Sequence, residues 1–344
     1  MRMKGVQLQL RSKELNHVKP RYSKRLTQQF ANGKHGSYAK GKVEVQRLRQ
    51  IQATSTTGGV GGNYILVVGE VLWDSLPSGL FLGGAPVNVA CHIQELGLAA
   101  DCVARVGDDE LGREILRRLV KRNLNTALIQ VDDGNLPSGF VVVTMSEGGI
   151  PSYDIVQPSA WDAISMTPEL SAAAEQASAL VFGSLSQRCD TTRDTVRCLL
   201  QLCDRCVFDV NFRPPYYDQP IVEEGLTAAW LAKTDNGAAE ELAKRFDMKY
   251  VCVTRGSKGA GLWDADSQTW VEHPGFTLPG DGAVDTVGAG DAFLARLLQG
   301  LLEEEDPLDV LREANALGAF VATQSGATPE HDHKAIASIL NTVV

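Results

Sequence analysis

From Tyr64 onward the sequence alternates short apolar runs with helix-patterned stretches, and that rhythm admits few folds. An apolar run at 65–68 precedes a helical stretch at 86–96, and a run at 102–106 precedes another at 109–122. Further apolar runs stand at 180–182, 207–210 and Tyr250–Thr254, each after a helical stretch, and two long helices close the chain at Ala289–Leu302 and 307–323. Strands connected through helices pair in parallel, and a parallel sheet must be covered on both faces. The fold class is therefore read as α/β, a doubly wound, mostly parallel sheet with helices on both faces. Two stretches break the rhythm, 139–146 and 152–156, joined by Glu147, Gly148 and Gly149. They read as an antiparallel hairpin outside the main layer, and covering a ligand is one use for such a lid.

The 344 residues are 44% hydrophobic and 22% charged, which excludes collagen-like, wholly disordered and disulfide-scaffold classes. The net charge of −9 hides a division. Residues 1–60 carry 13 Lys and Arg against Glu14 and Glu44, or +11, and leave −20 on the rest. An acidic body lacks the field that draws in a phosphate backbone, so nucleic acid is not expected as a partner. No run reaches the ~20 apolar residues that a membrane span needs, and no membrane partner is expected. The composition of 1–62 predicts a disordered basic extension, followed by one catalytic domain over 63–344. A cytoplasmic location is expected, or an organelle if residues 1–60 act as a transit peptide, which is likewise Arg-bearing and acid-poor. Seven scattered cysteines in a chain of this kind read as reduced thiols, and the Cys203/Cys206 pair as two thiols where a helix gives way to a buried strand.

The sharpest motif runs from Asp285 to Asp291, Asp-Thr-Val-Gly-Ala-Gly-Asp, directly before an apolar helix. Gly288, Ala289 and Gly290 let backbone amides approach a ligand at a helix N-terminus, where the peptide dipoles favour an anion. A carboxylate at Asp291 beside that anion is unfavourable for binding alone. It makes sense as a base that takes a proton from an attacking hydroxyl. A second motif, Gly83-Gly84-Ala-Pro86-Val-Asn88, combines a tight backbone approach, a helix start at Pro86 and an amide side chain suited to sugar hydroxyls.

With Gly97 and Gly107 downstream, and with Gly69, Glu70 and Asp74 upstream, these motifs resemble both signatures of the PfkB carbohydrate kinase (ribokinase-like) family, most closely its fructokinase-type members. The resemblance covers residues 64–330. It implies a ribokinase-like sheet with a small β lid near 76–82 and 139–156, and ATP-dependent phosphorylation of a sugar hydroxyl with Mg2+. Fructose is the first choice of substrate; ribose, a keto-deoxy sugar acid and a nucleoside stay open. It further implies that Asp291 is the catalytic base, that the amides of Gly288, Ala289 and Gly290 stabilise the transferring phosphoryl group, and that Asp74, Gly84 and Asn88 hold the sugar. Asn211 and Arg213 match positions near the phosphates or the acceptor. Thr254 and Gly256 match the nucleotide-side turn, and Asn315 falls in the helix that borders the adenine. Asp285 and Thr286 resemble the loop that binds a monovalent cation, K+, in some members. A homodimer through the lid is a further expectation.

Two departures from the family pattern stand out. Between Asp209 and Thr254 the family has a strand with an Asn-x-x-Glu motif and then a helix, and the stretch 226–240 is too short for both. Asn236 and Glu240 are imperfect substitutes, which points to a lost central strand and leaves, as the alternative to an active sugar kinase, a catalytically impaired chain that binds sugar or nucleotide or serves as an assembly subunit. The second is Arg296, which stands where the family has a small residue and must reach solvent or an acid. His331-Asp-His333 reads as a solvated tail rather than a metal site.

Overall fold

The computed structural model describes residues 63–342 apart from 77–78, 146–150, 236 and 279–284, with only strand backbone at 143–145 and 151–153. The basic extension, the turn at 147–149 and Asn236 lie outside the described residues. The chain begins with β1 (Tyr64–Val68), and β2 (Leu72–Leu76) and β3 (Gly79–Gly83) then leave the main layer. It continues through α1 (Ala85–Glu95), β4 (Ala99–Gly107), α2 (Glu110–Lys121), β5 (Ile129–Asp132) and two more outlying strands, β6 (Gly139–Met145) and β7 (Pro151–Ile155). It returns as α3 (Pro168–Gln176), β8 (Ala179–Gly183), α4 (Asp190–Leu200), β9 (Cys206–Asp209), α5 (Gln219–Ala228), β10 (Leu231–Thr234), α6 (Ala239–Phe246) and β11 (Tyr250–Thr254). The hairpin β12 (Ala260–Asp264) and β13 (Thr269–His273) precedes α7 (Ala289–Leu302), α8 (Pro307–Ala322) and α9 (His333–Leu340).

Nine strands form the main sheet in the order β13-β12-β11-β10-β9-β8-β1-β4-β5. The seven from β11 to β5 run parallel, and β12 and β13 add an antiparallel edge. Successive residues of β1 point to opposite faces, as a pleated strand requires. Ile65 and Val67 join a core built with α1, α2, α7 and α8, whereas Leu66 and Val68 join one built with α3, α4, α5 and α6. All four side chains are fully buried. The sheet is therefore doubly wound, and its order reverses at β1. At such a switch point the crevice outside the strands' carboxyl ends is the natural ligand site. A cavity opens there, lined by Glu70 after β1, Ser184 after β8, and Asp209 and Asn211 at the end of β9.

The expected hairpin is the antiparallel pair β6 and β7, and its support comes from the same chain. Parallel pairing of β6 with β2, and antiparallel pairing of β2 with β3, make a four-stranded sheet, the lid. Arg188 holds the end of β7 to the body: it donates to the Val156 carbonyl at 3.2 Å, pairs with buried Asp162 at 2.7 Å and lies 3.8 Å from the Trp161 ring centre.

The expectation of a lost central strand is overturned. β10 lies between β9 and β11, parallel to both, and α6 follows it. Leu-Ala-Lys-Thr has no alternation because both of its faces are covered, and all four residues are buried. Asp218 caps α5 through the Ile221 amide at 3.0 Å, and α5 stops at Ala228 in time for the strand. Glu240 is exposed and pairs with Lys244 on its own helix. The ground for an impaired chain falls with this strand. Arg296 reaches acids as required, Glu305 at 2.5 Å and Glu313 at 2.7 Å. Cys203, between α4 and β9, and Cys206, which opens β9, are buried free thiols. The 331–333 stretch is not a solvated tail: Asp332 caps α9, and His331 stacks on His92.

Candidate active site

The anion turn forms because only glycine tolerates its first bend. Gly288, the residue before α7, has φ 80°, and a Cβ there would meet the Ala327 carbonyl oxygen at 2.2 Å. The Ala289 amide already donates to Thr286 O at 3.3 Å. No described acceptor pairs with the amides of Gly288 and Gly290. Asp285 braces the turn, accepting from the Val287 amide at 3.0 Å and the Gly326 amide at 3.3 Å. Thr286 is exposed.

Asp291 follows in the first turn of α7 and is 8% exposed. Its Oδ2 accepts a hydrogen bond from Asn88 Nδ2 at 2.8 Å, so the two signatures, 203 residues apart, meet side chain to side chain. Asn88 reaches it because α1 starts at the Gly83-Gly84 bend. Gly84 has φ 111°, and a Cβ there would lie 2.4 Å from the Glu70 carbonyl; one on Gly83 would meet the Asp74 carboxylate. Asp74, on β2, is thereby seated against the same bend.

Four carboxyls surround this point, and water exclusion sets their chemistry. Burial pushes Asp291 up to about 6, helped by the charge of Asp209 and opposed by Lys233, Asn88 and Arg213. Burial likewise raises Asp74 to about 6 and Glu70 to about 7, with Arg213 opposing both. Arg213 itself is exposed, its Nη1 donating to Phe212 O at 3.1 Å. Asn211 turns the chain there in the left-handed region at φ 33°. The fourth, Asp209, is paired: Lys233 Nζ on β10 donates to its Oδ1 at 2.8 Å. Burial opposes the lysine's charge, yet Asp209 outweighs it and raises the ammonium above its ordinary value. A Cβ on Gly290 would stand 3.7 Å from Lys233 Nζ, so this cation lies against the anion turn.

Several buried polar atoms have no partner: Glu70 Oε2, Asn88 Oδ1, Asp209 Oδ2 and Ser186 Oγ. Buried acceptors are normally paired, so bare ones on Glu70 and Asp209, both lining the cavity, suit donors that arrive with a ligand. Hydroxyl groups and metal-bound water are such donors. The structure thus gathers Asp74, Gly84, Asn88, Gly288, Ala289, Gly290 and Asp291, with Asn211 and Arg213 at the rim. The remaining three lie elsewhere, two at the end of β11 and one on α8. Thr254 ends β11 and bonds Thr234 O at 3.4 Å, and Gly256 opens the next turn at φ 58°. Asn315 turns its amide back onto α8 at Leu311 O, 2.7 Å. Sequence reasoning missed Lys233 and gave Glu70 no role. Neither residue sits in a glycine-rich or capping pattern, and each becomes a site candidate only through the sheet order.

The comparisons agree with this geometry. The model of the pfkB family of carbohydrate kinases matches residues 79–334. A probable fructokinase-2 from Arabidopsis thaliana is 31% identical, across 79% of this chain and 94% of its own length. Fructokinase-2 from Zea mays is 29% identical, across 78% of this chain and 90% of its own length. The crystal structure of an uncharacterized sugar kinase from Pyrococcus horikoshii in complex with ATP superposes with a TM-score of 0.65 at 28% identity, covering 77% of this chain and 94% of that one. A matched region that spans most of the chain, both glycine motifs and the Asn88–Asp291 contact together place it: this chain belongs to the pfkB family of carbohydrate kinases and is a fructokinase-like sugar kinase.

Proposed function

We propose that the protein transfers the γ-phosphoryl group of ATP to a hydroxyl of fructose, giving fructose 6-phosphate. The observation that carries this reading is Asn88 Nδ2 on Asp291 Oδ2 at 2.8 Å, which sets a sugar-binding side chain against a buried base beside an anion turn. Asp74 and the bare Asn88 Oδ1 accept from sugar hydroxyls. The acceptor hydroxyl gives its proton to Asp291, its oxygen bonds to the γ-phosphorus, and the bond to the β-phosphate oxygen breaks to release ADP. The amides of Gly288 and Gly290, with Lys233 beneath and Arg213 at the rim, offset the charge on the phosphoryl oxygens. Thr254, Gly256 and Asn315 serve the nucleotide. Fructokinases among the relatives and ATP in a neighbour's crystal support the choice of both substrates.

Mg2+ fits the donor set, since the bare Asp209 Oδ2 and Glu70 Oε2 suit its bound waters. Held there with ATP, the ion would neutralise phosphate charge. Asp285 and Thr286 are proposed to flank a K+ site, and the lid strands to form the contact of a homodimer. A coupled ADP-release assay over fructose, ribose, a keto-deoxy sugar acid and a nucleoside tests the reading. Highest kcat/KM with fructose supports it; turnover of another acceptor alone, or none, overturns it.

A further inference from the structure

Asn88 and His92 stand one turn apart on α1, and each reaches a different part of the transfer apparatus. Asn88 holds Asp291. His92, fully buried, lies with Nε2 3.0 Å from the Ala327 carbonyl oxygen and Nδ1 2.9 Å from His331 Nε2. The two rings stack with centroids 5.2 Å apart. Ala327 in turn is the floor on which Gly288 rests, and the adjacent Gly326 amide bonds Asp285. The contacts close a circuit: Asn88 to Asp291, Gly288 to Ala327, Ala327 to His92, and one helical turn back to Asn88.

With both rings neutral, as burial favours, the circuit admits one proton arrangement. A carbonyl only accepts, so His92 Nε2 carries the hydrogen and Nδ1 is bare; His331 must then donate through its own Nε2–H. A proton on His92 Nδ1 would set two donors against each other. The ring is surrounded by His331, the Arg122 cation at the end of α2 and the Ala327 carbonyl, while Glu95 and His333 face His331. Burial first, then His331 and Arg122, hold His92 down at about 3 despite the carbonyl.

We propose that His92 is a positioning residue, whose Nε2-protonated ring ties α1 to the 326–331 segment and so fixes the spacing between Asn88 and the anion turn. This deepens the sugar-kinase reading and rests on it for its kinetic test. His92→Leu keeps the volume and removes both hydrogen bonds; His92→Gln keeps a donor toward Ala327. The leucine variant should lose at least about tenfold in kcat, with KM for ATP and for sugar each within about threefold, because both substrates bind but are misaligned. The glutamine variant should recover most of that loss. His331→Leu and His331→Gln, at a less buried ring, repeat the comparison if the core variants do not fold. Unchanged kcat in the folded leucine variants, or glutamine no better than leucine, would overturn the proposal. Imidazole 15N–1H spectra of the unaltered protein give a readout independent of turnover. They should show the Nε2–H tautomer at His92 with no titration above about pH 5, and the other tautomer or a titration above that would also overturn it. If no sugar is phosphorylated, the kinase reading fails alone, and the spectra still decide the tie.

Discussion

Asp291 carries a carboxyl that water would leave ionised far below neutrality, and burial raises it to about 6. A base of that strength is ionised at neutral pH yet holds a proton better than an exposed aspartate, which suits proton abstraction from a sugar hydroxyl. Asp291→Asn should lower kcat by ~100- to 10,000-fold while leaving the sugar's Kd nearly intact, as titration calorimetry would show. Retention of more than about a tenth of the turnover would remove Asp291 from that role. The stability effect runs the other way. The folded-state value lies above the unfolded one, so this group's contribution is present at low pH and is lost as pH rises through about 6. Replacing the costly carboxylate should raise the thermal midpoint at pH 8 and change it little at pH 4, and an equal shift at both would show that ionisation is not the cause. Loss of kcat as pH falls through about 6 is the kinetic counterpart. Asp291, Asn88 and the glycines were legible in the sequence because their work requires a particular backbone. His92 and Lys233 were not, since nothing local marks them and their partners, Ala327 and Asp209, are distant in the chain.

β10 shows how a strand becomes hard to read. Its four residues have no polar alternation, and Lys233 among them argues for a solvent face. The lysine is there because β9 places Asp209 beside it, two parallel strands being in register at these positions. The helices α1, α2, α7 and α8 and the strands β1, β4, β8, β9 and β11 of the parallel run, by contrast, were legible to within about three residues, because caps and apolar period mark their ends. The edge hairpin β12–β13 went unread since it follows no helix. The Lys233–Asp209 pair belongs to the sheet as much as to the site. Lys233→Met would leave an uncompensated carboxylate in the core and should destabilise the protein by roughly 3–5 kcal/mol in urea unfolding. Adding Asp209→Asn removes the stranded charge and should recover a good part of that loss. A single variant as stable as the parent would mean that the pair adds nothing to the sheet.

At the scale of the molecule, two sheets divide the work in the proposed reading: the main sheet carries the proposed phosphoryl-transfer residues at its switch point, and the lid sheet carries Asp74. That the lid strands pair in one order, β3-β2-β6-β7, was only half legible, because β2 and β3 are short and β3 begins and ends in glycine. The basic extension lies outside the described residues. Its composition gives it little apolar surface to bury, so removal of residues 1–62 should leave the thermal midpoint and kcat unchanged, and a large drop in either would refute that. The lid has a sharper consequence. A phosphoryl group exposed to water is lost to hydrolysis, so the sugar site must close while both substrates are bound. An isolated hairpin is marginally stable, and β6–β7 gains its rigidity from β2, whose Asp74 is a sugar contact in this reading. Sugar that binds Asp74 therefore tightens β2, and through the β2–β6 pairing it tightens the hairpin. Hydrogen exchange should slow across 139–145 and 151–155 when fructose is added, and the anion turn at 285–290 should respond to nucleotide instead. Equal exchange in the hairpin with and without a sugar that is demonstrably phosphorylated would show that the lid sheet does not close over the site.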